Sequence, residues 1–81
     1  MKVLFFAQFR ERLGVDQLII EQPGIDSVEM LVDHFAKQEG HWQDVFGSDQ
    51  MLVAVNQQIV DRSTRLKPDD EVAFFPPVTG G

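Results

Sequence analysis

The chain has no cysteine and no tyrosine, and it carries only seven Lys and Arg residues against 13 Asp and Glu. Without cysteine there can be no disulfide, no thiolate metal site and no cysteine nucleophile. The net charge of −6 argues against nucleic acid as a partner, because phosphate binding requires clustered cations. No apolar stretch approaches the roughly 20 residues of a membrane span. We therefore expect a cytoplasmic domain that contacts no membrane.

The first quarter of the chain predicts two strands. A near-continuous apolar run over residues 2–9 indicates a strand covered on both faces. Residues 10–15 are mostly polar and predict a hairpin connection to a second strand over residues 16–22. Pro23 and Gly24 end that strand, since proline lacks a donor and glycine permits a turn.

The sequence then changes to a helical period. Apolar residues recur at the spacing of one helix face, namely Val28, Leu31, Val32 and Phe35. Ser27 can cap the start of this helix, and Gly40 is a plausible end. A short helical turn over 41–47 follows, and strands are predicted over 51–55, around 59–60 and over 71–75.

This order of elements predicts an α+β domain in the β-grasp, or ubiquitin-like, arrangement. A hairpin, one main helix and further strands imply a sheet of about five strands with the helix on one face. A right-handed crossover through the helix makes part of that sheet parallel. With 43% hydrophobic residues, the 81 residues suffice for one small core.

Nothing inside the domain resembles an active site. His34 and His41 are seven residues apart and lack a third ligand, so no metal site is predicted. The acidic residues 69–71 lack the spaced ligands of a calcium loop and indicate a solvated turn. The serines have no base at a motif-like spacing.

The C-terminus has a distinctive composition. Residues 76–81 are uncharged, begin with Pro76-Pro77 and end with Gly80-Gly81. The two prolines favour an extended exit from the last strand, and six extended residues reach at most ~20 Å. Only glycine lets a backbone pass through a narrow channel, where it would present the terminal carboxylate. A frayed tail is the alternative interpretation.

Apolar side chains exceed what one helix can cover. Two pairs of adjacent phenylalanines lie in the predicted strands, Phe5-Phe6 and Phe74-Phe75. Because successive strand residues face opposite sides, each pair places one ring on either face. We expect some of these rings to form an exposed docking patch with Ile59. Alternatively, the segment around Trp42 and Phe46 folds over them.

Three segments carry a resemblance to a known family. Residues 3–8 (VLFFAQ), 55–57 (VNQ) and 70–81 (DEVAFFPPVTGG) are similar to those of the small, sulfur-carrying subunits of molybdopterin synthase, and the similarity spans the whole chain. One departure is Asp69, where relatives commonly have glycine.

The resemblance implies that the chain carries sulfur for other enzymes and has no catalytic site of its own. In that family an activating enzyme of the ubiquitin-activating type consumes ATP to adenylate the terminal carboxylate, here that of Gly81. A sulfur donor then displaces AMP and leaves a thiocarboxylate. The tail enters the large synthase subunit, in an expected heterotetramer, and donates sulfur to cyclic pyranopterin monophosphate to build the molybdopterin dithiolene. No permanently bound cofactor is implied.

The resemblance also assigns residues. It divides the chain into a β-grasp domain over 1–75 and a tail over 76–81. Sulfur is carried at Gly81, next to Gly80, and the partner-binding residues are Phe6, Ile59, Phe75, Pro76, Pro77, Val78 and Thr79. Three alternatives stay open: a carrier for thiazole synthesis or another sulfur pathway, a ubiquitin-like protein modifier, and an interaction module with an inert tail.

Overall fold

A computed structural model describes residues 1–47 and 50–77. Eight elements follow one another along the chain: β1 (Lys2–Phe5), α1 (Ala7–Leu13), β2 (Gln17–Ile19), α2 (Val28–Ala36), α3 (His41–Phe46), β3 (Leu52–Val55), β4 (Gln58–Val60) and β5 (Glu71–Phe75). The strands form one sheet in the order β2-β1-β5-β3-β4. In the described part of the chain, β1 and β5 pair in parallel and the other neighbours pair antiparallel. The predicted mixed five-stranded β-grasp is confirmed.

Helix α2 forms where the periodicity predicts it. The hydroxyl oxygen of Ser27 accepts a hydrogen bond from the Met30 N–H at 3.2 Å and thereby caps the first turn. The four residues of the predicted apolar stripe are buried. The helix ends at Ala36, before Gly40, which has φ +72° and instead precedes α3.

The first strand is shorter than predicted, and the hairpin connection over residues 10–15 is wrong. Strand β1 ends at Phe5, and α1 occupies Ala7–Leu13. Six of the seven residues of α1, all except Phe9, have high helix propensity. Phe9 is buried in the core. It was the last residue of the predicted strand, but it lies on the core-facing side of α1. Gly14 ends the helix in the left-handed conformation at φ +76°, and its N–H donates to the Arg10 carbonyl.

The core lies between the sheet and the helices, and aromatic rings fill its centre. Phe5 is 1% exposed and has four ring neighbours, Phe35, Trp42, Phe46 and Phe74. Trp42 and Phe46 both come from α3, which confirms the helical turn predicted there. No helix in residues 1–47 and 50–77 is long and apolar enough to cross a membrane.

Candidate functional site: the open face of the sheet and the base of the tail

The core lies on the face of the sheet that the helices cover. We call the opposite face the open face. Strand alternation assigns its members, because Val3, Phe5, Val72 and Phe74 point into the core. The cross-strand register then aligns Leu4, Ala73, Ala54 and Ile59 in one row across four strands. Phe75 and Leu52 form the next row, towards the C-terminal end of β5.

The apolar residues concentrate at the end of the open face from which the tail leaves. At the opposite end, Lys2 of β1 pairs with Glu71 of β5, and both are charged. Phe6 and Ile59 are 45% and 68% exposed, which is far more than a core residue shows, and Phe75 is half-buried. An exposed apolar surface beside Pro76 and Pro77, the last described residues, has the character of a docking site.

Phe6 is held on this face by the transition from β1 to α1. Its backbone is extended, and its N–H donates to the Phe74 carbonyl at 3.2 Å, which prolongs the parallel ladder by one step. Ala7 then takes a positive φ of 55° and turns the chain into α1. Alternation therefore leaves Phe6 on the side of Leu4, while Phe9 enters the core.

The start of β5 is fixed by a hydrogen-bond network between two distant turns. The Asn56 side-chain amide donates to Asp70 Oδ1 at 2.9 Å, and its oxygen accepts from the Glu71 N–H at 3.1 Å. The Lys67 N–H donates to Asp70 Oδ2 at 2.8 Å. Asp70 is only 9% exposed, so the interpretation of residues 69–71 as a solvated turn is wrong for this residue.

These bonds favour the ionised form of Asp70. The Lys67 N–H is the larger influence and the Asn56 amide the next, and together they lower the pKa of Asp70 below its usual value despite burial. Asp69 has no positive φ, since the non-glycine residues with positive φ in the described part are Ala7, Asn56 and Gln57. The turn thus needs no glycine at Asp69.

Replacing Asp70 tests this network. We expect Asp70→Ala to lower the free energy of unfolding at pH 7 by about 1–3 kcal/mol, because two part-buried donors, the Lys67 N–H and the Asn56 amide, lose a charged acceptor. Because the pKa of Asp70 is lower in the folded state, its carboxylate stabilises the fold at pH values above the unfolded-state pKa of about 3.9. This contribution is lost as the pH falls through the folded-state pKa. The deficit should therefore shrink on acidification below about pH 4, as measured by urea unfolding across pH. Asp69→Ala is the control, because Asp69 is exposed. An equal, pH-independent loss in both variants contradicts the assignment.

Comparison with known proteins places the chain in a family. The model of the ThiS family matches residues 3–81. The chain belongs to the ThiS family. A relative from Escherichia coli (strain K12), a molybdopterin synthase sulfur carrier subunit, is 46% identical over 81 residues, covering 100% of this chain and 99% of that protein. The sulfur carrier subunit of Haemophilus influenzae (strain ATCC 51907 / DSM 11121 / KW20 / Rd) is 41% identical over the same shares of both chains.

A solved structure adds a similar fold in a complex. The match is to the protein–protein complex of subunits 1 and 2 of the molybdopterin-converting factor from Helicobacter pylori 26695. It has a TM-score of 0.70 and 25% identity, and covers 99% of this chain and 96% of that chain. The ThiS-family fold of this chain is thus seen in that protein together with a second subunit.

The structure brings three of the predicted partner-binding residues onto one face, namely Phe6, Ile59 and Phe75. Pro76 is half-buried at the end of β5 and Pro77 is exposed. The rings of Trp42 and Phe46 pack on the core side against Phe5, so they do not cover this patch. Val78, Thr79, Gly80 and Gly81 lie outside the described residues.

Sequence reasoning missed the smaller apolar members of the open face. These are Leu4, Leu52, Ala54 and Ala73. Strand alternation relative to the buried valines would have identified them. Alternation could be used only once the sheet register was known, because the residues on both sides of these strands are apolar. Among the described residues, no group of three His, Asp or Glu side chains could hold a metal ion.

Proposed function

We propose that this ThiS-family chain is the sulfur carrier subunit of molybdopterin synthase. The observation that carries the proposal is the 46% identity over 81 residues with the molybdopterin synthase sulfur carrier subunit of Escherichia coli (strain K12). The family match over residues 3–81 includes Gly80 and Gly81. Both molybdopterin synthase relatives align over the full length of this chain. The apolar open face next to Pro76 supports the same function, because a carrier must dock before it delivers its terminus.

The chemistry proposed for Gly81 follows from the reactivity of a carboxylate. A free carboxylate is a poor acyl electrophile, so an activating enzyme first uses ATP to form an acyl adenylate and release pyrophosphate. A sulfur donor then attacks the carbonyl carbon and AMP leaves, which gives a thiocarboxylate. That sulfur is a soft nucleophile, and two successive transfers to cyclic pyranopterin monophosphate build the dithiolene of molybdopterin. The chain's own contribution is to present the reactive group.

The large subunit of molybdopterin synthase is the proposed partner, within a heterotetramer. The complex of subunits 1 and 2 in the Helicobacter pylori protein supports this pairing. We propose that Phe6, Ile59 and Phe75 bind the partner surface, while residues 76–81 enter its active site. The absence of side chains at Gly80 and Gly81 permits backbone conformations and close approaches that other residues exclude. A cytoplasmic location stays a prediction.

Intact mass spectrometry tests the proposal. After incubation with the activating enzyme, ATP and a sulfur source, we expect a mass gain equal to one oxygen-to-sulfur exchange. Adding the large subunit and cyclic pyranopterin monophosphate should return the carrier to its original mass and form molybdopterin. A chain that accepts sulfur but supports only a thiazole synthase would contradict the proposed pathway. A chain joined by an amide to target lysines would indicate a protein modifier instead.

The open face should control the rate at which the chain dissociates from the large subunit. We expect Phe75→Ala to raise the dissociation rate from the large subunit by about 30-fold, since aromatic anchors at an interface centre contribute about 2 kcal/mol or more. Surface plasmon resonance measures this rate. Glu71→Gln is the matched control, because Glu71 lies on the same strand and the same face but at the charged end. A larger effect from Glu71→Gln would contradict an apolar anchor.

A further inference from the structure

Strand β2 forms one outer edge of the sheet, and its outward backbone groups are available for pairing. The Asp16 carbonyl accepts from the Phe5 N–H at 2.9 Å, and the Ile20 N–H donates to the Met1 carbonyl at 2.8 Å. These groups therefore face β1. Because backbone groups alternate along a strand, those of Gln17 and Ile19 point away from the sheet. No hydrogen-bond partner for them occurs in the described part of the chain.

An apolar groove runs along the helix side of this edge. A cavity of about 240 Å³ lies between β2 and α2, lined by Leu18, Ile20, His34, Phe35, Gln38 and Trp42. The rings of Phe35 and Trp42 stack with centroids 5.1 Å apart. Leu18 pairs with the core-facing Val3 and so points to the same side of the sheet. A strand added beside β2 would place alternate side chains over this cavity.

The charges at the edge select the kind of strand that fits. Asp16 and Glu21 are exposed and flank the edge at its two ends. Arg10 of α1 lies near the first end, where it lines the same surface depression as Asp16 and Gln17. Two further cations belong to the inner strand: Lys2 pairs with Ile19, and the Met1 ammonium donates to the Ile20 carbonyl at 3.0 Å. A second copy would bring its own acidic Asp16 and Glu21 to the contact, and each copy carries a net charge of −6. Like charges disfavour that pairing.

We propose that the β2 edge and its groove bind an extended peptide of a partner protein, with aliphatic residues in the centre and Lys or Arg at both ends. The main chain pairs with Gln17 and Ile19, the aliphatic side chains enter the groove, and the cations contact Asp16 and Glu21. This is strand addition, in which backbone bonds supply affinity and side-chain pockets supply specificity. The groove lies on the helix side, away from the open face, so both surfaces can be occupied at once.

A synthetic peptide tests the site directly in the full-length chain. The probe has three central aliphatic residues flanked by two lysines on each side, and binding is followed by NMR with amide hydrogen exchange. We expect slower exchange at the Gln17 and Ile19 amides and shifts of the Trp42 indole resonance. A glutamate-flanked peptide of the same core should bind at least about tenfold more weakly at low salt, because the complementary charges are reversed.

Two controls separate strand addition from nonspecific attraction. N-methylation of the probe on its pairing edge removes donors without altering the protein, and it should abolish the protection, whereas methylation of the other edge should not. The double variant Asp16→Lys and Glu21→Lys should reverse the preference between the two peptides. Binding at Phe6 and Phe75 instead, equal affinity for both peptides, or self-association through β2 would overturn the proposal. None of these outcomes depends on sulfur transfer.

Discussion

Deletion of Gly81 is expected to abolish sulfur transfer while leaving the fold and the docking of the chain intact. The truncated chain still ends in a carboxylate, but that carboxylate lies about 3.5 Å closer to the domain. An enzyme active site requires its reacting groups within a few tenths of an ångström of the productive geometry, and a displacement of about 1 Å can cost 100-fold. A deficit of a whole residue should therefore reduce product formation below detection.

Three measurements distinguish this result from misfolding. Thiocarboxylate formation is read by intact mass, molybdopterin formation by single-turnover assay, and association with the large subunit by surface plasmon resonance. The described residues that form the open face all precede position 76, so we expect association to persist in the truncated chain. Gly81→Ala keeps the length and adds one methyl group, and it should retain more activity than the deletion. Full sulfur transfer by the truncated chain would refute the assignment of Gly81.

Replacement of Phe5 by alanine is expected to cause the largest loss of stability. Phe5 is 1% exposed and touches four other aromatic rings. Truncating such a ring costs about 3–5 kcal/mol through lost burial and the cavity left behind. A domain of this length has a total stability of only about 4–12 kcal/mol, so Phe5→Ala should be partly or fully unfolded. Guanidinium unfolding followed by circular dichroism measures the loss.

The neighbouring residue provides a matched control. Phe6 has the same side chain one position later but is 45% exposed on the open face. We expect Phe6→Ala to cost about 1 kcal/mol or less in stability, as surface substitutions usually do, and to weaken association with the large subunit. If Phe5→Ala does not fold, Phe5→Leu keeps most of the volume and should lose about 1 kcal/mol. Equal stability losses at Phe5 and Phe6 would contradict the assignment of faces.

Local patterns predicted the elements whose signals are contained in neighbouring residues. Helix α2 has a capping serine and a four-residue apolar stripe, and both act within one or two turns of the chain. The turn predicted at the acidic residues 69–71 closes by a hydrogen bond from the Asp70 N–H to the Lys67 carbonyl at 3.1 Å, three residues apart. Helix α1 was missed even though its composition favours a helix, because the apolar run of β1 is interrupted only by Gln8 before Phe9. Its first residue, Ala7, also takes a positive φ that no local preference for alanine predicts.

Features that depend on distant residues could not be predicted in the same way. Asp70 is buried because Asn56, 14 residues earlier, donates to it, and nothing in the acidic run over 69–71 indicates that partner. Adjacent phenylalanines point to opposite faces of a sheet in any strand. Which of the two is buried depends on which face the helices cover. The structure places Phe5 and Phe74 in the core and leaves Phe6 and Phe75 on the open face.

The sequence by itself determined the class of domain, the position of α2, the absence of cysteine thiols and the uncharged ending at Gly80 and Gly81. Each of these is a property of composition or of residues close together in the chain. The tertiary structure decided which rings form the core and which form the open face. It also decided that β1 and β5 run in parallel, so that α1 and the base of the tail lie at the same end of the sheet. The physical reason is that burial and strand register depend on contacts between residues far apart in the chain, whereas helix caps and turns depend on bonds within a few residues.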